Sequence, residues 1–335
     1  MSRKLLSYTA LGLILGNAAI ADVPKVAVDI APVHSLVSRV MEGVGSPKLI
    51  IPAGASPHEY SLRPSEAKSL QDADMVIWMG EDLAPWMENS IEKLAKNAEV
   101  ITLLEASETK LLDFREGALF EEHDHGDHDD HDDHDDHDKD HDDHDDHDDH
   151  SGHDHSGEDP HFFTDPARMA AAVDGIAAFL IANVEGIDAN IVTEAAEAYH
   201  GELEALDAEV EALVADIPAE NRVLITNHEV FGYFADRYGF EVAGAIIPSG
   251  STLDGTSAGD LAELAELITD EGVPAIFSDV SASDQLAQTL ADEVGGDVQV
   301  VELFTESLGD SDSEGATYID MVRTNATRIA EALAS

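Results

Sequence analysis

The sequence predicts an α/β protein of two lobes, each built on a mostly parallel sheet with helices on both faces. Three observations carry that expectation. Short β-rich runs alternate with amphipathic stretches in the first third of the chain and again in the last third, a rhythm that produces parallel sheets. The 335 residues are enough for two ordinary domains of about 150 residues each. A hydrophobic content of 43% supplies both with a core.

In the first half the expected strands are 26–30, 48–51, 75–78 and 100–103, separated by helical patterns at 34–41, 65–71 and 85–95. In the second half they are 223–226, 242–247, 275–278 and 298–303, with helical patterns at 257–269 and 283–294 between them. Two long helical signals separate the halves. Asp165-Pro166 opens the first, with Pro in the first turn where its missing N–H costs nothing. Met169, Val173, Ile176 and Leu180 then form an apolar stripe at 3.6-residue spacing towards Asn183. The second runs over about 188–217 and is rich in Ala and Glu; a further helix is expected at 317–333.

The N-terminus reads as an export leader over 1–21. Arg3 and Lys4 precede a mostly apolar run, and Ala19-Ile20-Ala21 is a small-x-small cleavage site. The run is interrupted by Ser7, Thr9, Gly12, Gly16 and Asn17 and is short for a membrane span. With no cysteine in the chain, neither attachment of a lipid at Cys nor a disulfide is expected. A free periplasmic protein follows, and a monomer is expected.

The formal charge is −54. Between Glu121 and Asp159 there are 21 acidic residues and one Lys, and the rest of the chain still carries a net −34. Such a surface repels nucleic acid, which is excluded as a partner. The segment 121–155 is low in complexity and dominated by His-Asp-Asp repeats. It has nothing apolar to bury, so it is expected as a disordered excursion inserted late in the first lobe, over 121–157. Its histidines, His123, His125, His128, His131, His134, His137, His141, His144, His147, His150, His153 and His155, form an accessory, low-affinity zinc loop in this reading.

Outside that tract the histidines are His34, His58, His161, His200 and His228. His200 belongs to the Ala/Glu-rich helix and is read as a surface residue. His34 follows Pro32 at a helix start, where capping or packing explains it as well as function does. The other three share a context. His58 follows the second strand through a Pro/Gly/Ser loop, His228 lies two residues past the strand 223–226, and His161 stands just before the long helix. Asp279 immediately follows the strand 275–278. In open parallel sheets, ligands bind beyond the carboxyl ends of the strands, and a cleft between two lobes would bring these groups together. Three imidazoles and a carboxylate suit a four-coordinate Zn²⁺ site and lean away from Mn²⁺, which prefers more oxygen. Glu59 and Glu229 each follow one of these histidines. Glu59 is kept as a possible partner or alternative ligand, and Glu229 is expected to face solvent.

These residues fall in motifs that resemble the cluster A-I (family 9) solute-binding proteins of zinc and manganese ABC importers. The matching stretches are Pro32-Val-His-Ser-Leu-Val37, Pro57-His-Glu-Tyr-Ser-Leu-Arg-Pro-Ser65, Ala73-Asp74 with Trp78-Met-Gly80, Asp159-Pro-His161 with Asp165-Pro166, His228 with Phe231-Gly-Tyr-Phe234, and Thr317-Tyr-Ile-Asp-Met-Val-Arg323. The resemblance covers the mature chain, and its zinc branch, the AztC and ZnuA type, carries a His-rich loop before the Asp-Pro-His motif. It implies two Rossmann-like lobes joined by one long rigid linker helix, with the metal in the interlobe cleft. It carries over His58, His161, His228 and Asp279 as ligands of one tight Zn²⁺. Manganese members usually place Glu at the position of His228, and many ZnuA-type members have a second-lobe disulfide that this chain lacks.

The implied domains are a leader (1–21), an N-terminal lobe (22–163), a linker helix (164–186) and a C-terminal lobe (187–335). The implied activity is capture of Zn²⁺ and its delivery to the membrane permease of an ABC importer, with a periplasmic zinc chaperone as a further partner in some relatives. A manganese-type binder of the same family and a periplasmic zinc buffer are the alternatives. An enzyme is not expected: there is no HExxH pair, and a zinc hydrolase needs an open water position.

Overall fold

The computed structural model describes residues 23–106, 110–115, 119–120, 157–247, 255–295 and 298–334. The expected leader and all the tract histidines lie outside these residues.

The first lobe contains β1 (Val26–Val28), α1 (Ala31–Val40), β2 (Lys48–Leu49), α2 (Pro64–Gln71), β3 (Met75–Trp78), α3 (Pro85–Leu94), β4 (Glu99–Thr102) and the short α4 (Leu103–Ala106). Its strands form one parallel sheet in the order β2-β1-β3-β4. The central strands β1 and β3 are buried at every residue, as expected of parallel strands covered on both faces. The edge strand β4 exposes Glu99 and Val100. Helix α1 begins three residues before the expected 34, because Pro32 falls in its first turn, where no N–H is needed. It buries Val33, Leu36, Val37 and Val40.

Two long helices follow, α5 (Pro166–Asn183) and α6 (Ala189–Val214). Each is capped by an aspartate: Asp165 accepts from Ala167 and Arg168 N–H, and Asp188 from Asn190 and Ile191 N–H, which satisfies donors that have no intrahelical partner. Their buried stripes are Met169, Val173, Ile176 and Leu180 on α5 and Val192, Tyr199, Leu203, Leu206 and Val210 on α6. The two helices pack along each other, and both also touch α1.

The second lobe holds β5 (Val223–Thr226), α7 (Gly232–Tyr238), β6 (Glu241–Ala245), α8 (Ala258–Glu271), β7 (Ala275–Asp279), α9 (Gln285–Val294), β8 (Gln299–Leu303) and α10 (Tyr318–Leu333). Its parallel sheet has the order β6-β5-β7-β8. Helix α8 is framed by its sequence. A Ser257/Asp260 capping box starts it, and Gly272, at φ +65°, ends it in the left-handed conformation that only glycine adopts cheaply.

One apolar cluster runs from the first sheet through α1, α5, α6 and α10 to β5, β7 and β8, and a smaller one fills the other face of the second sheet. Replacing a fully buried member such as Leu203 with Ala costs about 2–5 kcal/mol. Among the described residues no helix is long and apolar enough to cross a membrane.

Candidate metal centre

Four side chains converge where the carboxyl ends of the two sheets face each other. His58 lies in the loop after β2, His161 just before α5, His228 two residues after β5, and Glu306 three residues after β8. One ligating atom from each lies within 4.8 Å of all the others, and all four residues are buried.

Each is held by its own local structure. The His58 loop is fixed by Trp86, whose indole N–H donates to Pro57 O at 2.6 Å. It is tied to the opposite lobe by Gly54 N–H donating to Ser307 Oγ at 2.7 Å. At His228, the Thr226 hydroxyl donates to the histidine's own carbonyl at 2.8 Å. The loop carrying Glu306 is clamped to α10 by Asn325, which accepts from Phe304 N–H at 2.9 Å and donates to Phe304 O at 2.5 Å. His161 is oriented by Asp159, whose Oδ1 accepts from His161 N–H at 2.9 Å and faces Nδ1 at 2.7 Å. In the neutral ring that contact would keep the proton on Nδ1 and turn Nε2 to the metal, the carboxylate–imidazole arrangement that presents histidine to a metal.

Glu306 Oε1 stands 2.5 Å from His58 Nε2, 3.4 Å from His161 Nε2 and 3.5 Å from His228 Nε2. A tetrahedral zinc with bonds of 2.0–2.1 Å would have ligand-to-ligand edges of about 3.3 Å, so two of these separations are already edge lengths. Though close, the atoms do not line up as hydrogen bonds. His58 Nε2, His161 Nε2, both ring nitrogens of His228 and both oxygens of Glu306 are buried without a hydrogen-bond partner. Orphaned polar atoms at this density are costly in a protein interior, and a cation among them would satisfy them together. The donor set, three borderline nitrogens and one oxygen, fits Zn²⁺.

The electrostatics agree with this. Burial works to raise the Glu306 pKa, but the charge of the His58 and His228 imidazoles and the close approach of His161 overcome it and hold the carboxyl well below its usual range. For His161, burial works against the charged ring, but Asp159 and then Glu306 overcome it and lift the pKa to about 9.

Among the residues singled out from the sequence, the structure brings His58, His161 and His228 together and does not bring Asp279 with them. Asp279 is buried as the last residue of β7, but its oxygens are taken. Oδ1 accepts from Ser281 N–H at 2.6 Å and Ser281 Oγ at 2.7 Å, and Oδ2 accepts from the Thr305 hydroxyl. Burial and then the neighbouring Glu306 raise its pKa. An aspartate two residues before a serine closes such a turn readily. The sequence reading passed over Glu306, although the same strand-end rule, applied to the last strand, points to the Phe304-Thr-Glu-Ser307 segment.

Glu59 is exposed, outside the cluster. Glu229, expected in solvent, is only 1% exposed. Arg115 reaches it from the segment before the tract, through its Nε and, at 2.7 Å, its backbone N–H. Burial outweighs that pairing and raises the Glu229 pKa to about 7. His34 is half-buried, with Nε2 3.4 Å from Pro47 O, and His200 is a partly exposed residue whose Nδ1 is 3.0 Å from Asp174.

Known proteins share this arrangement of lobes. The family described as "Zinc-uptake complex component A periplasmic" (ZnuA) matches residues 26–332. A high-affinity zinc uptake system protein ZnuA of Paracoccus denitrificans is 38% identical, over 98% of both chains. Its namesake in Brucella abortus is 35% identical over 95% of this chain and 94% of its own. The solved structure of the periplasmic zinc-binding protein TroA from Treponema pallidum superposes with a TM-score of 0.76 at 28% identity, covering 93% of this chain and 99% of that one. The two parallel-sheet lobes and the buried ligand cluster define a metal-binding solute-binding protein. Within that class, the chain belongs to the ZnuA family.

Proposed function

We propose that this protein captures Zn²⁺ in the periplasm with high affinity and hands it to the permease of an ABC importer. His58, His161, His228 and Glu306 would be the four ligands. The observation that carries the reading is the set of buried, hydrogen-bond-free nitrogen and oxygen atoms within 4.8 Å of one another. Family membership supports the transport role, since the Paracoccus and Brucella relatives are named as zinc uptake proteins. Four protein ligands close the coordination sphere and leave no water position of the kind a hydrolytic zinc requires.

The ligands also come from both lobes, His58 from the loop after the first sheet's β2 and His228 and Glu306 from beyond the second sheet. A small displacement between lobes would therefore strip a ligand, which is how a permease could take the ion. The leader over 1–21 and free passage in the periplasm belong to the same reading, as does weaker zinc gathering by the 121–155 tract.

Competitive titration with Zn²⁺ and Mn²⁺ against a chelator, on the mature protein lacking 121–155, tests the proposal. One equivalent of tightly held zinc, with manganese bound far more weakly, is the expected result. Tight binding of manganese, or no tight zinc without the tract, would overturn it.

A further inference from the structure

The stretch that supplies His228 also builds the seat that holds Asp159, the partner of His161. Four residues after His228 on the chain, α7 begins its first turn with Gly232 and Tyr233. A methyl group placed on Gly232 would stand 2.7 Å from Asp159 Oδ2, 3.4 Å from Arg115 Nη2 and 3.7 Å from Glu229 Oε1. Real Cβ atoms essentially never come within 3.0 Å of another heavy atom, so a side chain at 232 would displace the Asp159 carboxylate, which keeps its place because residue 232 has none.

The buried Tyr233 hydroxyl holds the same residue from the other direction. It donates to Asp159 O at 2.8 Å and accepts from Leu112 N–H at 3.1 Å. Asp159 N–H in turn donates to Leu112 O at 2.8 Å. Residues 110–115 and 157–159 thus form a paired stem, bridged also between Asp113 and Glu158, and α7 grips that stem at the residue that aims His161. Arg115, stacked over Phe120 at 4.8 Å and paired with Glu229, closes the far side of the seat.

We propose that Gly232 and Tyr233 are positioning residues for the metal centre. They hold Asp159 against His161 Nδ1, and they tie the aim of His161 to the segment that carries His228. The inference rests on zinc capture by the three histidines and Glu306 as described above.

Partners that orient a metal-binding histidine typically contribute 10–100-fold to affinity, so Gly232→Ala should weaken zinc binding by about 10–100-fold. Tyr233→Phe, which removes one oxygen and little volume, should weaken it by about threefold to tenfold, a fraction of that range. Chelator-competition titration reads both. The hydrogen-bonded Nδ1 proton of His161, seen by NMR in the zinc-loaded protein, should shift upfield in each. Added to Asp159→Asn, Gly232→Ala should cost little more, because both act through one hydrogen bond.

Affinities within twofold of the parent, or a Gly232→Ala loss that adds in full to that of Asp159→Asn, would overturn the proposal. Should Gly232→Ala fail to fold, the nearly isosteric Tyr233→Phe decides alone. Absence of tight zinc in the parent protein would instead refute the capture reading itself, so the two failures are distinct.

Discussion

Strands β7 and β8 lie side by side in parallel register, with Asp279 opposite Leu303, and each leads into a buried carboxylate. The two carboxylates have opposite fates. Asp279, still on the strand, is consumed by its own turn: Ser281 and Thr305 take both of its oxygens. Glu306 lies three residues beyond its strand, in a loop whose backbone is fixed by Asn325, and both of its oxygens remain bare among three imidazoles. A binding carboxylate is therefore recognised by the absence of local partners, and a buried acid at a strand end is not enough. Thr305 links the two, since its hydroxyl serves Asp279 while its neighbour faces the histidines.

The largest effect should come from the histidines that Glu306 faces. Replacing His58, His161 or His228 with Ala should each lower zinc affinity by at least about 100-fold, more than loss of a mere orienting partner. Unchanged affinity in all three, measured by chelator-competition calorimetry, would break the contrast between the β7 and β8 ends, because Glu306 would have no partners to share.

Acid should act through the same group. With the His161 pKa at about 9 in the metal-free protein, the ring is protonated at pH 7, and zinc must displace that proton. Affinity should therefore rise with pH up to about 9 and fall progressively below it, a window above the ordinary imidazole value of about 6.5. Calorimetry at pH 7 in buffers of different ionisation enthalpy should show protons released on binding; none released would contradict the charge state that Asp159 and Glu306 impose.

Asp279→Asn should act on the fold more than on the metal. Weakening hydrogen bonds to a buried charge costs about 1–3 kcal/mol, which melting of the apo protein would report. The smallest effect is expected from deleting 121–155, which should remove several weak equivalents of zinc and leave the tight one. Loss of the tight site would shift the centre to the tract.

Much of the fold was legible. Strand runs such as 75–78 and 223–226 coincide with β3 and β5, because fully buried parallel strands are short, continuous apolar segments bounded by polar turns. Asp165-Pro166 placed the start of α5 for the same local reason. What was not legible depends on distant parts of the chain. Helix α7, seven residues that open with Gly and are rich in aromatics, shows no helical period of its own and is held by packing. Glu229 is buried by an arginine 114 positions away. The structure gathers Glu306, and not the expected Asp279, with the three histidines for a similar reason. Both follow apolar runs, and only the folded loops reveal that Ser281 and Thr305 occupy one and leave the other bare.

The central claim is that Glu306, and not Asp279, completes the three-histidine site. Zinc affinity of Glu306→Gln and Asp279→Asn, compared in one competitive titration with the same chelator, tests it most directly. The account predicts a loss of at least about 100-fold for Glu306→Gln, beyond the range for an orienting partner, and less than about tenfold for Asp279→Asn. The reverse order, or equal losses, would contradict it.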